Sequence, residues 1–407
     1  MISKILLEKI YDSAYVQRWN DKLRPVEFTE LDKQAHKMTI AYLLGKFEEE
    51  KPGFDWIKII EVGLFDFLQR LVLTDLKPQL LWEIRRSEPE KYTKLNKWVY
   101  DKLEPYILPL GEGFCRRYKD RFSESESDDI NTRIVSAAHE YATKWEFDFV
   151  EKANPTGYEV YEIKKLILRE IEYYSDLEGI KSLALYEKYK DFVEFCGLLR
   201  FQYRWGYLYM IPRISVLGHM LIVAILSYLF SLEARACNKR CVNNYFTGLF
   251  HDLPEVLTRD VVYPIKRSVP GLDELIKEYE RKEMEAKVYP LIPRKWKKEF
   301  KKYTFNEFEN VVDTHDNVTN ITFGDICTKY NENKYNARDG ELVKACDRIA
   351  AFLETHLAIK NGISRRTLAE ARLDLKEGED GLDKSILVKK PFDGIGPLLN
   401  EFMQEIE

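Results

Sequence analysis

The chain has 407 residues, a length typical of two or three domains. Hydrophobic residues make up 45% of it and aromatic residues 13%, which is enough for sizeable buried cores. The 63 basic and 68 acidic side chains nearly cancel to a net charge of −5, so the overall charge does not indicate a nucleic-acid partner. Six dispersed cysteines do not resemble a disulfide framework.

The first twelve residues, MISKILLEKIYD, place charged side chains among apolar ones. This pattern is typical of an amphipathic helix and lacks the uninterrupted apolar core of a signal peptide. The longest apolar stretch, 220–232, is too short to span a bilayer and contains two serines. We therefore expect a soluble, cytoplasmic protein with no membrane partner.

Helical patterns dominate the chain. Segments 158–174, 272–288 and 342–358 carry apolar residues at three- and four-residue spacings with charged residues between them. The best strand candidate, 317–323, is short, and clusters of proline and glycine mark loops between the helical segments. These patterns predict an all-α fold.

A long, weak internal repeat divides the chain. Arg18-Trp19, followed by His36 and an apolar helix, corresponds to Arg204-Trp205, followed by His219 and a second apolar helix. Two further pairs of segments match in the same order: 63–75 with 248–260, and 134–142 with 342–350. We predict two tandem copies, residues 1–184 and 185–407. The alternative is an unrelated helical domain before residue 185 and a fortuitous match.

Four residues of the second copy form a candidate metal site. They stand in three apolar helical segments: His219, His251, Asp252 and Asp347. One histidine on an apolar helix is usually a core residue, but a carboxylate in an apolar stretch needs a partner or a cation. Two imidazoles with two carboxylates suit one divalent metal ion, such as Mn, Co, Fe, Ni, Zn or Mg.

The order of these residues, with the run GLFHDLPEVLTRD around His251-Asp252, resembles the HD superfamily of metal-dependent phosphohydrolases. The sequence is more similar still to the bacterial 5'-deoxynucleotidases of that superfamily, over about 204–372. The resemblance implies an HD-domain helical bundle and a small-molecule nucleotide substrate. It also implies roles for nine residues: metal binding for His219, His251, Asp252 and Asp347; acid–base help from Glu255; contact with the sugar for Asp260; phosphate binding by Arg204 and Lys266; and a wall beside the sugar from Trp205.

The sequence departs from the family pattern at three places. Leu217-Gly218 precede the first histidine where Ser-Glu is common, Arg259 replaces a small residue, and the segment between Asp260 and Asp347 is longer. These departures concern the region that would bind the substrate and leave the metal ligands intact. His315 is the only further histidine between the HD pair and Asp347, which favours one metal ion.

The first copy is predicted to have lost its metal. His36 and Asp75 persist in the alignment, but Asp66-Phe67 replaces the His-Asp pair and His139 replaces Asp347. Because Phe67 cannot bind a metal, an incomplete set of ligands remains. We expect a structural, regulatory or ligand-binding role for this copy.

Three functions remain open from the sequence. The first is hydrolysis of (deoxy)nucleoside 5'-monophosphates by metal-activated water. The second is a phosphohydrolase that acts on oligonucleotides or cyclic nucleotides, and the third is a nucleotide-sensing protein with little turnover. A homo-oligomer, or a pseudo-dimer of the two copies within one chain, is a further possibility that the dimeric relatives suggest.

Overall fold

The computed structural model describes residues 2–74, 76–123, 129–260, 269–313, 321–389, 391–392 and 395–405. The chain divides into two compact units, Met1–Glu178 and Gly179–Glu407. The division lies a short distance before the predicted boundary at 184/185. In the described residues, regular strands are confined to one two-stranded ribbon in the first unit. The all-α prediction is confirmed.

The first unit is built around two helices that pack along one another, α2 (Glu30–Glu48) and α7 (Ile130–Ala153). Its ribbon pairs Gln17 with Thr29 in antiparallel register, immediately before α2 begins. The elements of this unit are α1 (Lys4–Asp12), β1 (Gln17–Arg18), β2 (Phe28–Thr29), α2 (Glu30–Glu48), α3 (Trp56–Val72), α4 (Pro78–Ser87), α5 (Pro89–Ile107), α6 (Glu112–Ser123), α7 (Ile130–Ala153) and α8 (Val160–Tyr173).

The second unit centres on three mutually packed helices, α11 (Val216–Glu233), α12 (Asn238–Phe250) and α17 (Gly340–Lys360). Its helices are α9 (Glu178–Leu185), α10 (Glu187–Leu198), α11 (Val216–Glu233), α12 (Asn238–Phe250), α13 (Glu255–Thr258), α14 (Leu272–Glu283), α15 (Lys297–Thr304), α16 (Phe323–Lys329), α17 (Gly340–Lys360), α18 (Arg366–Glu377) and α19 (Ile395–Gln404). Helices cover most of the periodic segments 158–174, 272–288 and 342–358, and the second continues from α14 into a π-helical turn at Met284–Val288.

The predicted strand at 317–323 is not found where the structure describes that segment. Residues 314–320 lie outside the described residues, and Phe323 already begins α16, with the Thr322 hydroxyl accepting a hydrogen bond from the Asp325 N–H at 3.1 Å. A threonine at this position satisfies an N–H group that the first helical turn leaves without a partner.

Helix α11 has the length and apolarity to cross a membrane, but 89% of that helix is buried inside the protein. Its N-cap is Ser215, whose hydroxyl accepts a hydrogen bond from the Gly218 N–H at 2.8 Å. Gly248 of α12 packs directly on it, because a Cβ at this glycine would lie 2.8 Å from the Ala224 backbone. The apolar run is thus the core helix of the second unit.

Candidate metal centre

The first turn of α11 places His219 in the core with no exposed surface. Its Nδ1 lies 2.8 Å from Oε1 of Glu354, and its Nε2 lies 2.9 Å from Oδ1 of Asp347. Since the buried Glu354 carboxylate is an acceptor, the Nδ1–H donates to it. The Nε2 lone pair then faces Asp347, which is the orientation of a metal-binding imidazole.

His251 follows the last residue of α12 and is also buried. Its Nδ1 lies 2.8 Å from the carbonyl oxygen of Gly248, so Nδ1–H donates to that carbonyl. The remaining nitrogen, Nε2, lies 3.2 Å from Oδ2 of Asp252 and 3.9 Å from Oδ1 of Asp347. A backbone acceptor therefore fixes the tautomer of this second imidazole as well.

The donor atoms of His219, His251 and Asp347 all lie within 4.8 Å of one another. Asp252 stands beside this group, with Oδ2 3.7 Å from Nε2 of His219. Metal bonds of about 2.0–2.2 Å place neighbouring ligands roughly 3 Å apart, close to the spacings seen here. Two imidazole lone pairs and two carboxylates thus fit a single divalent ion.

Three carboxylates meet at the site, of which Glu354 is fully buried and Asp252 and Asp347 are partly buried. Burial raises the pKa of Asp252, but His251 and Arg204 hold that pKa well below its usual range. Burial and Arg204 lower the pKa of His219, whereas Glu354 and Asp347 raise it, to about 9 overall. A cation, either a proton or a metal ion, is therefore strongly favoured among these groups.

Arg204 and Trp205 meet the same cluster from the segment before α11. The Trp205 indole N–H donates to Oε2 of Glu354 at 2.8 Å, and Nε of Arg204 lies 3.7 Å from the same oxygen. Nη1 of Arg204 lies 3.5 Å from Asp252 and 3.7 Å from Asp260. The backbone of Trp205 has φ of 56°, an uncommon conformation for a residue with a side chain.

Glu354 is the residue of this cluster that the sequence analysis missed. It lies two helical turns after Asp347 on α17, so the two side chains share one face of that helix. A glutamate within the apolar run AAFLETHLA was the available signal, because a carboxylate in such a stretch needs a partner.

The remaining predicted residues surround the cluster to different extents. Glu255 is buried at the start of α13, where its backbone N–H donates to the carbonyl oxygen of Asp252 at 3.0 Å. Asp260 reaches Arg204, whereas Lys266 and His315 lie outside the described residues. Glu307, not predicted, carries a carboxyl near His251 and Asp252, and burial raises its pKa.

The first unit repeats the Arg–Trp–Glu contacts. The Trp19 indole N–H donates to Oε2 of Glu146 at 2.9 Å, and Nε of Arg18 donates to the same oxygen at 2.8 Å. Trp19 has φ of 55°, as Trp205 has 56°. Phe67 is buried in the core, and Asp66 pairs with Arg121 at 3.0 Å.

The sequence analysis matched His36 with His219, but in the structure Lys33 holds the place in α2 that His219 holds in α11. His36 packs edge-on against Trp145, with ring centroids 4.8 Å apart. Lys33 contacts His139 instead, with Nζ 3.0 Å from Nε2. Lys33 is the fourth residue after the N-cap Thr29, as His219 is the fourth after the N-cap Ser215. The distance from the start of each helix therefore determines which residues of the two units correspond, and the nearest histidine in the sequence does not.

Comparison with known proteins agrees with this geometry. The family model of the HD domain matches residues 196–376, which include all four predicted metal ligands. Over 179 residues the chain is 22% identical to a 5'-deoxynucleotidase of Pasteurella multocida (strain Pm70), a match that covers 43% of this chain and 78% of that protein. No solved structure gives a significant match. Residues 196–376 therefore form an HD domain, of the superfamily of metal-dependent phosphohydrolases.

Proposed function

We propose that the second unit hydrolyses (deoxy)nucleoside 5'-monophosphates, with one divalent ion held by His219, His251, Asp252 and Asp347. The observation that carries the proposal is the orientation of the two imidazoles. Both Nδ1–H groups are engaged, by Glu354 and by the Gly248 carbonyl, so both Nε2 lone pairs point at the carboxylates. This arrangement suits a metal ion, which would take the place of the proton that His219, with its raised pKa, otherwise shares with Asp347.

When bound there, a divalent ion lowers the pKa of a water molecule and offsets charge on a phosphoryl group. Arg204 contributes a permanently charged, planar guanidinium that binds phosphate oxygens through two parallel hydrogen bonds. Glu255, which begins α13 four residues after His251, accepts a proton from the attacking water. Trp205, held by Glu354, forms the wall beside the sugar, and Asp260 accepts a hydrogen bond from a sugar hydroxyl.

The choice of a nucleoside monophosphate rests on the similarity to the Pasteurella 5'-deoxynucleotidase and on the Arg204–Trp205–Asp260 group. A single arginine at the cluster matches one phosphate group better than a polyphosphate chain. Among the described residues, no second guanidinium is seen within ion-pair distance of Asp252 or Asp347.

The test is release of inorganic phosphate from a panel of deoxy- and ribonucleoside 5'-monophosphates, with Mn, Co, Mg or Zn added to chelator-treated protein. We expect metal-dependent turnover of deoxynucleotides, lost in Asp347→Asn. The matched control is Asp325→Asn, which removes an exposed carboxylate paired with Lys329 in the same unit and leaves turnover unchanged.

Two results would count against the proposal. Stoichiometric metal binding without phosphate release from any monophosphate would indicate instead a nucleotide sensor or a hydrolase that acts on a phosphodiester substrate. Full activity in Asp347→Asn would show that the Asp347 carboxylate is not a metal ligand.

A further inference from the structure

The segment that follows α15 makes a turn, residues 306–309, against the second histidine of the metal centre. The Phe308 ring lies 6.2 Å from the His251 ring, measured between the ring centroids, and the two ring planes are tilted by 50°. This turn belongs to the stretch 260–347, which is longer than the family pattern. It therefore brings to the metal centre a piece of chain that the metal-binding motif does not contain.

Arg338 holds this turn in place through backbone acceptors. Its buried guanidinium donates to the carbonyl oxygen of Glu309 from Nε at 3.3 Å and from Nη2 at 3.0 Å, and it also contacts the carbonyl oxygens of Lys302 and Asn306. Within the turn, the Glu309 N–H donates to the carbonyl oxygen of Asn306 at 2.9 Å. Because every acceptor is a backbone carbonyl, replacing the side chain at position 307 or 309 removes none of these hydrogen bonds.

The turn also packs directly on the start of α17, the helix that carries Asp347. A Cβ at Gly340 would lie 2.2 Å from the carbonyl oxygen of Glu309 and 2.3 Å from the carbonyl carbon of Phe308, so this close approach requires glycine. The turn is thus in contact with two elements that supply proposed metal ligands: α17 through Gly340, and the end of α12 through His251.

The Glu307 side chain extends from this turn and is half-buried. Burial raises the pKa of its carboxyl, its own backbone N–H and His251 lower that pKa, and Asp252 raises it, so this carboxyl lies within electrostatic reach of two proposed ligands. Among the residues that the structure describes, no lysine or arginine lies within ion-pair distance of it. A carboxylate that is partly withdrawn from water without a counter-ion is costly unless another cation lies nearby.

The divalent ion proposed for this site would be such a cation. An octahedral ion held by His219, His251, Asp252 and Asp347 has two positions left for water or substrate. The Asp252 and Asp347 side chains are 18% and 24% exposed, so water has access to the cluster at its carboxylates. Carboxylates outside the ligand set contribute to metal affinity by accepting hydrogen bonds from groups at the ion.

We propose that Glu307 is a positioning residue of the metal centre, a carboxylate outside the four ligands that stabilises the divalent ion by its charge and orients water there. The inference rests on the metal ion proposed above but not on the identity of the substrate. Glu309 provides a matched control, because it lies on the same turn and is exposed. Its carboxylate accepts a hydrogen bond from the Asn306 amide at 3.2 Å.

The experiment measures competition for Mn²⁺ and Zn²⁺ between a fluorescent chelator and the full-length, metal-stripped protein, without nucleotide. We expect Glu307→Gln to weaken the affinity about tenfold, the lower end of the usual effect of losing such a partner. Glu307→Asp, which keeps the charge, is expected to bind both ions more tightly than Glu307→Gln does, and Glu309→Gln to bind them as wild type does. Circular dichroism confirms that each variant is folded, and Glu307→Ala provides a second variant without the charge.

Three results would overturn the proposal: an affinity of Glu307→Gln equal to that of wild type, an equal loss of affinity in Glu309→Gln, or no gain in Glu307→Asp over Glu307→Gln. Phosphate release is measured separately with the same proteins. Metal affinity that depends on Glu307, without turnover of any monophosphate, would support this inference and contradict the proposed hydrolase. Turnover with unchanged affinity in Glu307→Gln would do the reverse, and a wild type that binds neither ion would overturn both.

Discussion

Glu354 lies with Oε1 2.8 Å from Nδ1 of His219, deep in the core of the second unit. Its other oxygen accepts the hydrogen bond from the Trp205 indole. One carboxylate therefore fixes both the tautomer of a proposed metal ligand and the position of a proposed substrate wall. Such partners raise the basicity of the imidazole and hold its orientation.

Replacing Glu354 with glutamine is expected to weaken divalent metal binding about 10- to 100-fold, the usual effect of losing such a partner. The neutral amide of glutamine has the same shape as the carboxylate of Glu354. Without the negative charge, it no longer stabilises the His219 imidazole with its Nε2 lone pair directed at a cation. Competition with a fluorescent chelator measures the affinity. The matched control is Glu146→Gln, which changes the equivalent glutamate of the first unit; if both variants lose metal equally, the assignment of Glu354 is wrong.

Gly248 and Gly63 stand at equivalent helix contacts in the two units. We expect their replacement by alanine to change the free energy of unfolding by different amounts. An alanine Cβ at Gly248 would meet backbone atoms of Ala224 at 2.8 Å, so α11 and α12 must separate. We expect Gly248→Ala to lower the free energy of unfolding by about 1–3 kcal/mol, as overpacking does. Metal affinity should fall with it, because His251 follows directly after the last residue of α12.

Gly63→Ala is the matched comparison. The added Cβ meets the flexible thioether of Met38, which can turn aside, and alanine gains up to about 1 kcal/mol in helix propensity. Guanidinium unfolding of each variant measures both costs. Equal losses of unfolding free energy in the two variants would contradict the distinction between a clash with backbone atoms at Gly248 and a clash with a flexible side chain at Gly63.

The buried Asp339–Arg240 pair joins α12 to the start of α17. Nη2 of Arg240 donates to Oδ2 of Asp339 at 2.9 Å, the amide of Asn244 donates to the same oxygen at 2.8 Å, and neither charged side chain is exposed. Asp339→Ala leaves the guanidinium buried without its counter-ion and is expected to cost about 3–5 kcal/mol in urea unfolding.

An exposed ion pair of the same unit serves as the control for this substitution. Asp325→Ala breaks the contact with Lys329 and is expected to cost less than about 1 kcal/mol, since water screens that pair. A loss in Asp339→Ala no larger than in Asp325→Ala would show that the buried pair does not stabilise the helix junction.

His356 makes the second unit sensitive to mild acid. Burial lowers the pKa of this imidazole from 6.5 to about 4, although Glu405, 3.3 Å away, opposes the shift. The unfolded chain therefore binds the proton more readily than the folded one. Stability from this group is complete above about pH 6.5 and is lost as the pH falls towards 4.

His356→Gln removes that titration. We expect the wild-type urea midpoint to fall between pH 7 and pH 4.5 by more than the midpoint of the variant, because a glutamine does not take up a proton. The comparison at pH 8, where the imidazole is neutral in both states, provides the reference for packing effects. Parallel pH profiles of the two proteins would exclude His356 as the cause.

The sequence was sufficient for features that reside in contiguous stretches. The spacing of apolar residues predicted the helices, and the run GLFHDLPEVLTRD with His219 and Asp347 pointed to the HD domain that the family comparison then matched. Helical periodicity and short motifs are local properties, since neighbours along the chain determine them.

Tertiary structure decided which side chains meet. Glu354 is 135 positions from His219, and no local pattern connects them. Lys33 reaches His139, because the N-cap Thr29 sets where α2 begins and each further residue turns about 100° around the helix axis. The spacing in the sequence agrees, since Lys33 follows Arg18 by 15 residues as His219 follows Arg204 by 15, but only the tertiary structure shows that this lysine meets His139.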